Sequence, residues 1–257
     1  MNRFVLLLAS APFALASLAL VPACSSSTAS TPSGSSGTAD AGTTPDEDSG
    51  LPAGGTECTA ARKTYLGPIA KVTEGAVKVI SSADGVSTIY IDASAGGTPE
   101  AAQNPRVYIK LTGDRVDVND NDAFTSTDWD LAFKRVDIYT NSGDAGAGKG
   151  GAAKVSKSFD SVTAADADAA EIAAEKFFDE NCVGKKDEAN FIVTTFAGWY
   201  DYQVGGSVSA KASTTFVVRG ADGTSRYKVG IVSYTAKDDG TTTGTATGRY
   251  LIKVAAL

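Results

Sequence analysis

Thr215-Phe216-Val217-Val218-Arg219, then Tyr227-Lys228-Val229-Gly230-Ile231-Val232-Ser233-Tyr234, then Arg249-Tyr250-Leu251-Ile252-Lys253-Val254 decide the fold. Each run is short and rich in β-branched and aromatic residues, the composition of a strand. Asp222-Gly223 after the first run is a pair that favours positive φ in a hairpin loop. Asp238-Asp239-Gly240 turns the chain again before the third. Consecutive hairpins of this kind predict an antiparallel meander.

Working towards the N-terminus, Val77-Lys78-Val79-Ile80, Thr88-Ile89-Tyr90-Ile91 and Val107-Tyr108-Ile109-Lys110-Leu111 read as further strands. Asp128-Trp129-Asp130-Leu131-Ala132-Phe133-Lys134 alternates with period two and runs on into Val136-Asp137-Ile138-Tyr139. Ala164 to Asp179 departs from this pattern: it is rich in Ala and Glu, with Thr163 and Asp166 at capping-box spacing, and predicts a short surface helix. The expectation is an all-β domain, an antiparallel meander or sandwich with at most one short helix. No fixed-period repeat is present.

The chain has 257 residues, 42% of them hydrophobic, enough for a real core. It contains no histidine, which excludes Ser-His-Asp and Cys-His catalysis, His-held zinc and His-ligated haem. Its single Met is Met1, inside a segment expected to be removed. A formal charge of −7 without a basic patch argues against a nucleic-acid partner. No activated nucleophile or acid–base pair is visible, so an enzyme is the least supported class.

Asn2-Arg3 followed by the apolar run Phe4 to Leu20 reads as a secretory signal. The run ends Leu20-Val21-Pro22-Ala23-Cys24, resembling the bacterial lipobox, in which Cys24 is diacylated and becomes the mature N-terminus. An uncleaved anchor helix is the alternative, but the run is marginal for a bilayer of roughly 30 Å and carries a proline. The expected organisation is a lipoprotein signal over 1–23, a Ser/Thr/Gly/Pro-rich tether over 24–56 that lacks the apolar residues to order itself, and a folded domain over 57–257. Such a protein is exported and lipid-anchored. With Cys24 acylated, Cys58 and Cys182 remain as an even pair in an oxidising compartment, and a disulfide is expected. Two thiols serving as metal ligands is the weaker alternative.

Three motifs fall short of the chemistry they evoke. Gly143-Asp144-Ala145-Gly146-Ala147-Gly148-Lys149-Gly150 has seven positions of a phosphate loop, but Gly150 stands where Ser or Thr should hold magnesium, and no helix pattern follows. A flexible glycine loop is the better reading. Asp117, Asn119, Asn121 and Asp128 match four calcium-loop positions, but Asp122 replaces the required glycine, and a polar turn is expected instead. Asp128 and Asp130 evoke a glycosidase acid pair, yet at i, i+2 on a strand they read as a solvated face.

Three stretches together resemble the HmuY family of bacterial surface lipoproteins. They are Asp128 to Arg135 running on through Asp137-Ile138-Tyr139-Thr140-Asn141-Ser142-Gly143; the loop Gly146 to Ala152; and Gly198-Trp199 followed by Phe216-Val217-Val218-Arg219-Gly220-Ala221-Asp222-Gly223. The strand from Val107 also fits. The resemblance covers most of the chain from about residue 105 onward. It implies an all-β domain whose projecting hairpins grip haem, displayed on the outer membrane for iron acquisition. Founding members clamp the iron between two histidines, and some relatives use methionines. Here the position after the Gly-Trp motif is Val204, and Asn181 to Asn190 offers neither residue.

Three readings follow. Haem is held through a tyrosinate, with Tyr200 or Tyr202 beside the lost ligand position; sheet packing is the simpler role for both side chains. A second reading is capture of a porphyrin or other flat ligand by stacking, without iron ligation. In the third, haem has been lost and the fold serves as a surface module for adhesion or an unknown protein partner or receptor.

Overall fold

The computed structural model describes residues 58–257 apart from Ala189, Val204 and Gly205. The signal segment, Cys24, the tether, residue 57 and Val204 therefore lie outside the described residues. The chain opens with helix α1 (Thr59–Leu66), then strands β1 (Val77–Ala83), β2 (Val86–Asp92), β3 (Val107–Ile109) and β4 (Arg115–Val116). Helix α2 (Asp120–Ala123), strands β5 (Leu131–Lys134), β6 (Asp137–Thr140) and β7 (Gly151–Val155), and helix α3 (Ala164–Asp168) follow. The last strands are β8 (Tyr200–Tyr202), β9 (Val208–Ala210), β10 (Thr215–Arg219), β11 (Arg226–Ser233) and β12 (Arg249–Ala256).

The meander expected at the C-terminus is the heart of a six-stranded antiparallel sheet, ordered β1-β2-β12-β11-β10-β7. Gly223 takes φ +80° in the β10–β11 turn and Gly240 φ +89° beyond β11, as these tight turns require. The β1–β2 hairpin turns through Asp84-Gly85, both at positive φ, and adds to the edge β12 leaves open. A second antiparallel sheet is ordered β4-β3-β5-β6, and β8 pairs with β9 in a separate hairpin.

Period-two alternation sorts side chains of the second sheet between two cores. Val107, Ile109, Leu131, Phe133 and Ile138 face the six-stranded sheet and share a core with Ile89, Ile91, Phe216, Val218, Val229, Ile231, Tyr250 and Ile252. Tyr108, Ala132 and Tyr139 face the other way and join Trp129, Phe177, Phe178 and Leu66 of α1. The small sheet is thus buried on both faces, and the described part of the C-terminal unit is a sandwich with a third layer of helix and loop.

That third layer is tied down covalently. Cys58 and Cys182 form a disulfide with Cα atoms 5.4 Å apart, an ordinary separation for the bond. It joins the start of α1 to a segment 124 residues away. Tyr65 of α1 lies against Phe178 at 5.1 Å between ring centroids, and its hydroxyl donates to the Lys185 carbonyl.

Several elements differ from expectation, each for a local reason. The helix expected over Ala164 to Asp179 begins with the Thr163–Asp166 capping box but stops at Asp168. Ala173 then exchanges backbone hydrogen bonds with Ala152 of β7, and Glu175 is buried, so tertiary pairing overrides helix propensity. Three short helices are present among the described residues, because α1 and α2 also form. The run from Asp128 to Tyr139 is a hairpin, with β5 and β6 joined through Arg135-Val136. Arg135 adopts φ +53°, and its guanidinium donates to the Thr247 carbonyl, the Thr247 hydroxyl and the Thr98 hydroxyl.

The glycine loop is packed rather than flexible. Asn141 donates to the carbonyls of Ser126 and Trp129 and accepts from the Gly148 amide. A Cβ on Gly146 would lie 2.2 Å from the Asn141 side-chain oxygen, and one on Gly148 2.6 Å from its carbonyl. The glycines thus let the loop close around one asparagine. Asp130 is likewise no solvated carboxylate: it accepts from the amides of Leu111 and Ala221 at 2.9 and 2.8 Å, bridging the two sheets. The calcium-like stretch is partly helix, with Asn119 capping α2 through the amides of Asn121 and Asp122. Asp120 is buried against Arg106 and accepts from the Tyr108 hydroxyl.

Candidate functional site

Two projecting turns enclose a cavity of about 410 Å³. One wall is the β8–β9 hairpin, carrying Tyr200, Asp201 and Tyr202, with Trp199 at its base. The opposite wall is a turn over Asp187 to Ile192, pinned by the Lys186–Ile192 bridge. Asp187 closes that turn, its amide donating to the Phe191 carbonyl and its side chain accepting from the Phe191 amide. Val136 and Asp137 line the cavity from the β5–β6 hairpin. The volume falls within the range of small-molecule sites, roughly 300–1,000 Å³.

Trp199 anchors the hairpin wall to the core. Only 2% exposed, it donates from its indole nitrogen to the Val136 carbonyl at 3.1 Å. Its ring packs edge-on against Tyr200 at 4.7 Å and lies 5.4 Å from Tyr250. Burial pushes the Tyr234 phenol beside it up to about 12.

The other wall hangs on Glu175, which sequence reasoning missed. Its buried carboxylate accepts from the amides of Thr140 and Thr195 and from the Thr195 hydroxyl at 2.6 Å. It thereby ties the end of β6 to Thr194, Thr195 and Phe196, of which Thr194 and Phe196 line the cavity. Burial raises its carboxyl to about 7 even against those hydrogen bonds.

Both tyrosines singled out in the sequence line this cavity, but in unlike settings. Tyr200 is half-buried against Trp199, and burial together with Asp187, Asp137 and Tyr202 raises its pKa. It resists becoming a phenolate. Tyr202 is 61% exposed at the mouth. Asp137 is half-buried, and its carboxyl is raised to about 6, first by burial, although Arg106 and Lys134 pull it down. Asp187, Glu188 and Phe191 also line the cavity and were missed in the sequence. Asp187 and Glu188 fall within Asn181 to Asn190, where the family resemblance puts its other ligand position, but were not singled out there; they reach the site because the Cys58–Cys182 disulfide and Tyr65 fix the segment that carries them.

The donor chemistry available here is oxygen only: phenols and carboxylates. Among the described residues no group of three or more Asp, Glu, Cys or His is arranged to hold a metal ion by itself. No described helix is long and apolar enough to cross a membrane. The aromatic lining is Tyr200, Phe191 and, exposed at the mouth, the phenol of Tyr202.

No curated protein matches the chain. The family model described as HmuY protein matches residues 89–250, a span that runs from within β2 to the start of β12 and takes in the four-stranded sheet and the residues that line the cavity between the projecting turns. On that match over more than half of its length, the chain belongs to the HmuY family.

Proposed function

We propose that this protein is a non-catalytic, lipid-anchored binder of haem or a related porphyrin, serving iron or haem acquisition at the outer membrane. The observation that carries this reading is the cavity between the β8–β9 hairpin and the Asp187–Ile192 turn, lined by the aromatic side chains of Tyr200, Tyr202 and Phe191 over the buried Trp199, a setting suited to a flat ligand. The family's histidine and methionine ligands have no counterpart, since the sequence has no His and its only Met is Met1. Tyr202 is the residue assigned to ferric iron: exposed at the mouth, its phenol can reach an entering ring, and the ferric ion itself supplies the charge that ionises it. Tyr200 serves by packing and stacking.

Titration of the purified protein with ferric haem and with iron-free protoporphyrin, followed by absorbance, tests this. Saturable haem binding with a discrete Soret shift is expected, and Tyr202→Phe is expected to abolish the high-spin ferric signature. Equal binding of the iron-free ring, unchanged by Tyr202→Phe, would leave stacking capture as the mode. Binding of neither ring would leave a surface interaction module that has lost its ligand.

The membrane anchor in this reading is diacylated Cys24, with the following tether holding the domain away from the bilayer. The membrane-bound chain is expected to have lost residues 1–23 and to carry lipid on Cys24, as read by intact mass. A membrane-bound chain that keeps residues 1–23 would point to an uncleaved apolar anchor.

A further inference from the structure

Of the carboxylates lining the cavity, Asp137 alone belongs to the sandwich, at the start of β6; Asp187, Glu188 and Asp201 stand on the projecting turns. Asp120, Asp130 and Glu175 each accept two or more hydrogen bonds. The Asp137 carboxylate accepts none among the described residues. Two cations act on it from a distance. Lys134 stands directly across the strand pair without an ion pair to it, and the buried Arg106 guanidinium is engaged with Asp120 and the Leu66 carbonyl. From the opposite turn, Asp187 opposes its ionisation. The phenols of Tyr65, Tyr139, Tyr200, Tyr234 and Tyr250 also feel its charge, and burial raises each above its ordinary value, so they stay neutral at about pH 8 and below. Burial is the largest influence on the Asp137 carboxyl and, with Asp187, outweighs both cations, raising it to about 6.

What keeps this group ionised at neutral pH is the water that still reaches it, since the side chain is half-buried and lines the cavity. A flat apolar ring seated there removes that water and offers no donor in return. Covering the carboxylate is therefore costlier than covering the neutral carboxyl. Binding pushes the carboxyl up further, which fixes the sign of the linkage: affinity is highest below about pH 6 and falls as pH rises above it.

We infer that Asp137 is a binding residue on the sandwich side of the cavity and couples ligand binding to proton uptake, a flat apolar ring seating over its neutral carboxyl and being disfavoured by its carboxylate. This rests on the porphyrin-binding reading above and names the residue that sets the pH dependence of that binding.

The test measures the affinities of iron-free protoporphyrin and of ferric haem at about pH 8 and about pH 5.5, for the native chain and for Asp137→Asn. The asparagine keeps the side-chain shape and removes the charge, and the carboxylate it replaces has no hydrogen bond to lose. Carboxylates on the ring, the Tyr202 phenol and Glu175 are common to both proteins, so the ratio of the two affinities isolates Asp137. The variant is expected to bind both rings about tenfold more tightly than the native chain at pH 8, the ratio that follows from about a tenfold change in the ionisation constant of the covered carboxyl. At pH 5.5 the two proteins are expected to agree within about twofold, because the native carboxyl is then largely neutral. Calorimetry at pH 7 in buffers of different ionisation enthalpy should show more proton uptake on binding by the native chain than by the variant. A ratio that does not change with pH, or tighter binding by the native chain at pH 8, would overturn the inference while leaving porphyrin binding intact. Binding of neither ring by either protein would overturn the functional reading itself, and the inference with it.

Discussion

At the scale of single residues, buried and half-buried carboxylates carry more of the architecture than composition hints. Asp130 bridges two sheets, Asp120 holds Arg106 and Tyr108, and Glu175 joins β6 to the cavity wall. Glu175 has a pH consequence whose sign is fixed by its raised pKa. The folded chain keeps this proton up to about pH 7, whereas the unfolded chain releases it near the ordinary glutamate value of about 4.5. Between those values the native state binds more protons, so this group's contribution to stability grows as pH falls from 7 towards 4.5 and is lost as pH rises. Asp137, raised to about 6, acts in the same sense over a lower window. Urea midpoints at pH 7.5 and pH 5 check this: Glu175→Gln should gain most at pH 7.5 relative to the native chain and little at pH 5, a differential of about 1–3 kcal/mol. A differential of the opposite sign would mean that the hydrogen bonds to the carboxylate outweigh its burial.

Among elements, the strands with alternating β-branched and aromatic residues were legible in the sequence, and all three C-terminal strands form where expected. Elements that depend on partners were not. β7 reads Gly-Ala-Ala-Lys-Val and is a strand because β10 pairs with it. Arg135-Val136 carries no turn signal and is a turn because Thr98, Thr247 and Ala93 hold it. The same division applies to the site. Tyr200 and Tyr202 were found by their place after Gly198-Trp199, whereas Asp187, Glu188 and Phe191 arrive through a segment anchored more than a hundred residues away. That anchor is testable. Replacing Cys58 and Cys182 by serine removes a crosslink across 124 residues, and the loop-entropy account predicts a loss of about 4–5 kcal/mol. Hydrogen exchange should accelerate first in α1 and the segment from Phe178 to Val193, before the six-stranded sheet. Uniform acceleration would show that the third layer and the sandwich open as one unit.

For the molecule as a whole, division of labour follows from where burial is concentrated. The six-stranded sheet and the inner face of the small sheet form one apolar core, and the outer face of the small sheet is sealed by α1 and the disulfide-linked segment. The cavity sits where the β8–β9 hairpin and the Asp187–Ile192 turn project beyond these cores, so its lining can vary while the sandwich persists. Loss of the family's usual iron ligands in an otherwise recognisable fold fits that separation. The most direct measurement is a ferric haem titration of the native chain beside Ala197→Trp, with melting temperatures recorded for both. Ala197 is exposed, lines the cavity and lies outside the buried core, so a tryptophan there fills the binding space and spares the packing. The account predicts a saturable Soret shift for the native chain, at least about a tenfold loss of affinity in Ala197→Trp, and closely similar melting temperatures. Equal haem binding by both proteins, or none by the native chain, would contradict it.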